Sequence, residues 1–336
     1  MKVLITGGAG FIGSHFTRVW IKKYPKDFIT VLDLLDYAGN EDFLKEIKSR
    51  SQVQFVKGDI CDKKLVQSLT KNTDAVFHLA AQTHVDRSIQ TSDPFVQTNI
   101  VGTQNLLESS RQNKVKKFIY ISTDEVYGSI AHGKFKEESP LHPSSPYSAS
   151  KAAGDLLCLA YWHTYQFPVI ITRCCNNFGP HQFPEKVIPV FITNLLEGKK
   201  IPLYGKGNNV REWIHVLDHC KAIELVFKKG KSGEIYNIGT GKELNNLELA
   251  NLILKKLNLP SSFIQSVSDR PGHDLRYALD SSKLKKLGFK PDQPFSEYIQ
   301  ETIRWYEVNK AWWKKIKDGN SYQKYSKKQY PTIQGR

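Results

Sequence analysis

The sequence predicts an α/β protein, a doubly wound parallel sheet followed by a smaller mixed α/β part, and three observations carry that prediction. The chain opens with Val3-Leu4-Ile5-Thr6, a glycine turn over residues 7–13, and apolar residues at helical spacing over 14–24. This is the strand, turn, helix order of a phosphate-binding unit. Apolar runs then recur at 29–32, 53–56, 75–79 and 118–121, without polar alternation, as expected of parallel strands covered on both faces. Residues 95–112 and 147–166 have the apolar spacing of helices between and after these strands.

At 336 residues, with 40% hydrophobic and 24% charged content, the chain can bury a sizeable core as one large or two small domains. No apolar run reaches the roughly eighteen residues of a membrane span. Met1-Lys2-Val3-Leu4-Ile5-Thr6-Gly7 leads into the first strand without signal-peptide features, so a cytoplasmic protein is expected. The five cysteines, Cys61, Cys158, Cys174, Cys175 and Cys220, lack C-x-x-C spacing and are expected to be reduced and to bind no metal. Net charge is +15, but the lysines are scattered and no nucleic-acid motif accompanies them. A solvated basic surface that helps attract anionic nucleotides is expected, with neither nucleic acid nor membrane as partner.

Taken in order, Gly8, Gly10 and Gly13 satisfy G-x-G-x-x-G, and Gly7, Gly10 and Gly13 the related G-x-x-G-x-x-G. Missing side chains there let backbone amides reach a pyrophosphate at a helix N-terminus, the mark of a Rossmann-type dinucleotide site. Asp33 ends the second apolar run about twenty residues later, where a carboxylate accepts hydrogen bonds from a ribose diol and repels a 2′-phosphate. NAD is therefore expected over NADP. Asp59, after the third strand, can accept the exocyclic amine of adenine, and Ala80-Ala81, after the fourth, let a dinucleotide backbone lie close. Asn99 and Thr103 are polar positions in the amphipathic stretch 95–112.

The fifth strand runs into Ser122-Thr123-Asp124-Glu125-Val126-Tyr127-Gly128. Ligands of open α/β sheets bind beyond the carboxyl ends of the strands, so Asp124 and Glu125 would face one. In a dry site, desolvation and mutual repulsion raise at least one carboxyl pKa, letting one group hold a proton while the other accepts one. The same pair would also suit a solvated turn, and its neighbours decide. Downstream, Tyr147-Ser148-Ala149-Ser150-Lys151 places phenol and ammonium one helical turn apart. The ammonium is expected to lower the phenol pKa and make Tyr147 a proton acceptor.

These motifs together resemble the extended short-chain dehydrogenase/reductases and, within them, the nucleotide-sugar 4,6-dehydratases. The resemblance runs nearly end to end, through Thr6 to Ser14, Tyr37-Ala38-Gly39-Asn40, His84-Val85-Asp86-Arg87-Ser88, Ser122 to Gly128 and Pro143 to Lys151. It continues through Thr172 to Pro180, Gln182-Phe183-Pro184-Glu185-Lys186, Asn209-Val210-Arg211-Glu212-Trp213 and Asp269-Arg270-Pro271-Gly272-His273-Asp274. Sugar epimerases of the superfamily share the glycine turn and Y-x-x-x-K but carry small residues in place of Asp124 and Glu125.

The resemblance implies oxidation of a nucleotide-linked glucose at C4, loss of water across C5 and C6, and hydride return to C6. Tyr147 would be the C4-hydroxyl base, helped by Lys151 and Thr123, with Glu125 taking the C5 proton and Asp124 protonating the departing hydroxyl. Cofactor contacts would extend to Phe11, Ile12, Ile60, Leu79, Asn99 and Ser122. The substrate would meet His84, Thr123, Asn177, Lys186, Tyr204, Arg211, Asn246, Arg270 and His273. The family also implies a homodimer through a four-helix bundle formed by 95–112, 147–166 and their copies.

The expected organisation is a Rossmann-type domain over 1–176, with segments around 205–240 returning to it. A substrate-binding domain, smaller and mixed α/β, would occupy mainly 177–320. Helices are expected near 187–197 and 217–228, and a short strand at 201–204. Trp305, Trp312 and Trp313 are expected to pack on the second domain, and 321–336 to form a basic, mobile tail. Two stretches depart from the family pattern. Asp33-Leu34-Leu35-Asp36 stands for Asp-Lys-Leu-Thr, and Gln82-Thr83 for Glu-Ser. Alternatives to a thymidine substrate are a uridine one, an epimerase or decarboxylase, or a non-catalytic NAD-binding scaffold, which would usually lack one of Tyr147, Lys151, Asp124 and Glu125.

Overall fold

The structure, a computed structural model, describes residues 1–269 and 271–330. Twelve strands are formed: β1 Lys2–Thr6, β2 Phe28–Asp33, β3 Val53–Lys57, β4 Ala75–His78, β5 Lys117–Thr123, β6 Val169–Cys174, β7 Asn176–Phe178, β8 Ile201–Tyr204, β9 Val210–His215, β10 Ile235–Ile238, β11 Glu243–Asn245 and β12 Ile264–Val267. Seven of them make one parallel sheet in the order β10-β6-β5-β4-β1-β2-β3. The order reverses between β1 and β4, so the chain leaves the ends of these two neighbours toward opposite sides and opens a crevice.

Strand interiors explain why this sheet is buried on both faces. Val3 and Ile5 of β1 join one apolar cluster and Leu4 joins the other, and the same split recurs at Ile119 against Phe118 and Tyr120 in β5. Alternate side chains point to opposite faces. Both faces therefore need an apolar residue, which removes the polar alternation. Helix Phe11–Lys23 covers one face by placing Phe16 and Trp20 on Phe77, with ring centroids 4.6 and 4.8 Å away.

The smaller part has its own core and two small sheets, β11-β9-β7 and β12-β8. Helices Val187–Leu196, Asn246–Lys256 and Phe295–Val308 supply Ile188, Phe191, Leu249, Ile253, Tyr298 and Ile303 to it. Trp313 is fully buried there, with Trp305 and Trp312 packed alongside. The segment returning to the large sheet is helix Val216–Lys229 with β10. β9, inside the stretch 205–240 expected to return, instead pairs with β7 and β11.

Two further differences from the sequence reading have physical causes. The stretch 95–112 belongs to a longer helical run in which Gln97–Gly102 is π-helical, between Asp93–Val96 and Thr103–Gln112. Apolar spacing barely registers one extra residue in a turn. Part of the expected mobile tail is a packed helix, Asn320–Gln329, with Tyr322, Tyr325 and the following Tyr330 buried. Lys324, Lys327 and Lys328 face solvent while the tyrosines face inward, so lysine content concealed an amphipathic helix. Residues 331–336 lie outside the described residues. Among the described residues no helix is long and apolar enough to cross a membrane.

Candidate active site

The glycine turn is shaped by steric necessity at two positions. Gly7 has φ +69°, and a Cβ there would lie 2.6 Å from the Ala80 nitrogen; a Cβ on Gly13 would lie 2.1 Å from the Gly7 oxygen. Neither position can take a side chain while the turn keeps its place against β4. Asp33 reinforces the turn, since its carboxylate accepts from Ala9 N at 2.9 Å and Leu35 N at 2.8 Å. Burial raises its pKa and these backbone hydrogen bonds oppose that. Asp33 thus has a structural duty that sequence spacing did not reveal.

The crevice runs from this turn to the smaller domain. Gly7, Gly10, Phe11, Ile12, Gly13, Asp33, Asp59 and Ile60 line one end, and Leu79, Ala80 and Ala81 the floor. Asn99 does not line it. Its amide instead clamps the backbone of Gln82, accepting from Gln82 N at 2.9 Å and donating to Gln82 O at 3.0 Å, and donates to Ser150 Oγ at 2.8 Å. The expected cofactor contact is therefore a tie between the loop after β4 and the helix that carries Tyr147. The π-helical stretch puts Thr98, not Asn99, on the crevice wall.

The two departures from the family pattern meet each other. Gln82 Nε2 donates to Asp36 Oδ2 at 2.6 Å. The family pattern has threonine at 36 and glutamate at 82, so these two positions together carry one carboxylate in either case.

At the other end, β5 delivers Ser122, Thr123, Asp124 and Glu125 into the crevice beside Tyr147 and Lys151 of helix Pro146–Tyr165. That helix starts sharply because Ser145 and Ser148 form a reciprocal cap with Pro146 in the first turn. Thr123 Oγ1 caps the 3₁₀ turn Asp124–Tyr127 by accepting from Glu125 N at 3.3 Å, and lies 3.3 Å from Asp124 Oδ1. Asp124 is 1% exposed and its Oδ2 has no hydrogen-bond partner among the described residues. Burial first, then the charge of Glu125, hold its carboxyl well above the usual range. Such a group keeps its proton and can give it away.

Tyr147 corrects one expectation. Burial, followed by the Glu125 charge, pushes its phenol up, with the Thr123 hydroxyl partly opposing. The Lys151 ammonium donates to Ile121 O at 2.7 Å and sits 4.2 Å over the Tyr120 ring, and burial brings its pKa down to about 8. One helical turn of spacing fixes the face but not which acceptor the flexible lysine takes.

Of the expected substrate contacts, Asn177 and Lys186 line the crevice. Asn177 Nδ2 donates to Cys175 O at 3.0 Å and its Oδ1 faces His219 Nδ1 at 2.8 Å; Lys186 Nζ donates to Thr83 O at 2.8 Å. His84 lies behind this wall, buried against Glu185 and Tyr325, where burial brings it down to about 4. Tyr204, Arg211, Asn246 and His273 also stand off the crevice, grouped around residues 271–277. Arg211 donates to Asp274 O at 2.9 Å and covers the Tyr277 ring, and the Tyr204 and His273 rings meet at 5.8 Å. Asn246 N donates to Asn209 O, and Asn209 Nδ2 to Asp274 O. Arg270 lies outside the described residues.

Residues that the sequence reading left out of the site include Cys174, Gln182, Glu185 and His219, all on the crevice wall. Cys174, Gln182 and Glu185 lie inside motifs that carry the resemblance; His219 had no local signal. Gln182 Oε1, Asn176 Oδ1 and His219 Nε2 are buried without hydrogen-bond partners among the described residues, and their side chains line the same crevice as Asp124. A side-chain-free turn at one end and unsatisfied polar atoms at the other fit a dinucleotide lying across the switch point with a polar ligand beyond it.

The family model described as GDP-mannose 4,6 dehydratase matches residues 4–302. A dTDP-glucose 4,6-dehydratase of Streptomyces niveus is 50% identical over 322 residues, covering 94% of this chain and 96% of the relative. The solved dTDP-glucose 4,6-dehydratase of Streptomyces venezuelae, with NAD and dTDP bound, superposes with a TM-score of 0.92 at 50% identity, covering 94% of this chain and all of that one. A UDP-glucose 4-epimerase of Thermotoga maritima, solved with UDP-glucose, gives 0.85 at 30% identity over 92% of this chain and 99% of its own.

Proposed function

This chain belongs to the GDP-mannose 4,6 dehydratase family, and from that premise we propose that it is a hydro-lyase converting dTDP-glucose to dTDP-4-keto-6-deoxyglucose. The observation that carries the reading is the adjacent Asp124 and Glu125 at the end of β5, in the same crevice as Tyr147 and Lys151. An epimerase needs only the second pair. Elimination across C5 and C6 also needs a base and an acid.

The glycine turn and Asp33 would hold NAD, which would supply the hydride acceptor for C4 and the donor for C6. Tyr147 Oη accepts the C4-hydroxyl proton, oriented by Thr123. Its raised pKa makes it a strong base once ionised, and Lys151, one helical turn on, ties the helix to the end of β5 through Ile121 O. Glu125 removes the C5 proton. Asp124, kept protonated by burial, gives its proton to the departing C6 hydroxyl. Asn177 meets the diphosphate or sugar, Lys186 and Tyr204 serve the nucleotide side, and Arg211, Asn246 and His273, set off the crevice, serve phosphate and ribose; Arg270, given the same role by the resemblance, lies outside the described residues.

The enzyme acts as a homodimer in this proposal. Val96, Val101, Leu156 and Tyr165 are exposed apolar residues on the Asp93–Gln112 run and on helix Pro146–Tyr165, an unusual concentration for a solvated face. A reducing cytoplasm suits its cysteines, of which none forms a disulfide among the described residues.

The test is incubation with dTDP-glucose and with UDP-glucose separately in deuterium oxide. A 4-keto-6-deoxy product carrying deuterium at C5, formed faster from dTDP-glucose, is expected. A keto product only from UDP-glucose changes the base; a C4 epimer without keto product overturns the dehydratase reading.

A further inference from the structure

We propose that Cys174 is a covalent modification site inside the crevice, a thiolate nucleophile with His219 as its proton acceptor, open to soft alkylating agents and to hydrogen peroxide. The dehydration chemistry uses neither residue. Cys174 ends β6 directly beside Thr123 of β5 and lines the crevice, as does His219.

One amide organises the pair. Asn177 Nδ2 donates to Cys174 Sγ at 3.3 Å while Asn177 Oδ1 faces His219 Nδ1 at 2.8 Å. The imidazole is thereby fixed, and its Nε2, in a fully buried side chain, has no hydrogen-bond partner among the described residues. Cysteine, histidine and an orienting amide are the components that turn a thiol into a thiolate. Burial alone would raise the Cys174 thiol, but the Cys175 thiol, the His219 charge and the Asn177 amide outweigh it and hold it below the usual value. Cys175, by contrast, is driven well up, by burial first, then by Cys174 and the Glu212 charge. Two adjacent cysteines therefore differ in reactivity.

With peroxide, the Cys174 sulfur forms an S–O bond as the O–O bond breaks, and the departing hydroxide takes a proton to become water. Sulfur is oxidised by two electrons to the sulfenic acid and the peroxide is reduced. With iodoacetamide, a C–S bond forms as iodide leaves. Either adduct stands beside Thr123 and Asn177 and would obstruct the substrate end of the crevice.

The test labels the full chain with iodoacetamide at mildly acidic pH, about two units below the ordinary thiol pKa, and follows each cysteine by peptide mass mapping. Cys61 is the internal control, being the most exposed cysteine, with its thiol pushed up to about 11. Exposure alone would label Cys61 first. Thiolate character should label Cys174 at least ~10-fold faster than Cys61 and Cys175. Peroxide with a sulfenate trap should then mark the Cys174 peptide in step with loss of activity. His219→Gln should bring the Cys174 rate down about tenfold or more. Should that variant fail to fold, the pH dependence of the unmodified chain decides, because the Cys174 rate must level off well below the ordinary thiol value. Faster labelling of Cys61, or a Cys174 rate that climbs as an ordinary thiol does, overturns the proposal. Protection by NAD and dTDP rests on the proposed function. Selective labelling without protection would leave the thiolate standing and remove that use of the crevice.

Discussion

Asp124 shows, at the scale of one residue, how burial that burdens the fold prepares the chemistry. Its carboxyl is raised by burial and by Glu125, so the folded chain holds a proton that the unfolded chain releases near pH ~4. The folded state then binds more protons above that pH, and stability falls as pH rises toward the raised value. Asp124→Asn removes this penalty and leaves the shape. Its melting temperature at pH 7 to 8 should rise, by on the order of 2 °C per kcal/mol recovered, while formation of the keto product drops. Calorimetry and turnover on one sample check both, and a lower melting temperature would deny that the buried carboxyl is a burden. Tyr147→Phe should behave differently, suppressing even the first hydride transfer by about 10²–10⁴-fold. Single-turnover absorbance of the reduced cofactor separates the two, since Asp124→Asn and Glu125→Gln should still allow it to form. These roles were legible because Asp124 and Glu125 are adjacent, and Tyr147 and Lys151 are one turn apart. Cys174, Asn177 and His219 converge only when helix Val216–Lys229 packs against the end of β6, and no local spacing encodes that.

At the scale of elements, the position of helix Pro146–Tyr165 depends on one small residue. A Cβ on Gly154 would lie 2.1 Å from the Tyr120 hydroxyl oxygen, so the helix touches β5 where a larger residue would push it away. Gly154→Ala favours helix by propensity yet overpacks a dense contact, at a cost of about 1–3 kcal/mol. It should lower the melting temperature and, by moving Tyr147 and Lys151 relative to Thr123, lower kcat more than it changes the KM for the sugar nucleotide. Unchanged kcat would mean that the helix does not register the site. Strands β1, β4 and β5 were legible because each holds an apolar run, β2 and β3 because only Thr30 and Gln54 interrupt theirs, and β8 because it is short and isolated. The π-helical stretch was not, since it preserves the apolar pattern while rotating Asn99 inward. The last helix was missed for the opposite reason: three inward tyrosines among lysines give it an apolar face that composition averages away.

For the whole molecule, a charge of +15 disfavours self-association by long-range repulsion, so any dimer must form through a locally apolar face. Such a face is present. Helix Pro146–Tyr165 and the Asp93–Gln112 run lie side by side, joined by Gln104 and Glu108 to the Tyr161 hydroxyl at 3.4 and 3.1 Å. Leu156 at 57%, Tyr165 at 51%, Val96 at 41% and Val101 at 39% are exposed on these elements. Two copies related by a twofold axis would each present the same pair, making a four-helix contact. Light scattering at micromolar concentration should therefore give about twice the chain mass of 38.4 kDa. Leu156→Glu places a carboxylate at the most exposed of these apolar positions and should shift the mass toward the monomer, with little effect on the folding of each copy because that side chain is not in either core. The same helix carries Tyr147 and Lys151 at its start, so separation of the copies should also lower the melting temperature of the catalytic region in a concentration-dependent way. A wild-type monomer at micromolar concentration, or a Leu156→Glu chain that still dimerises, would remove this face as the interface.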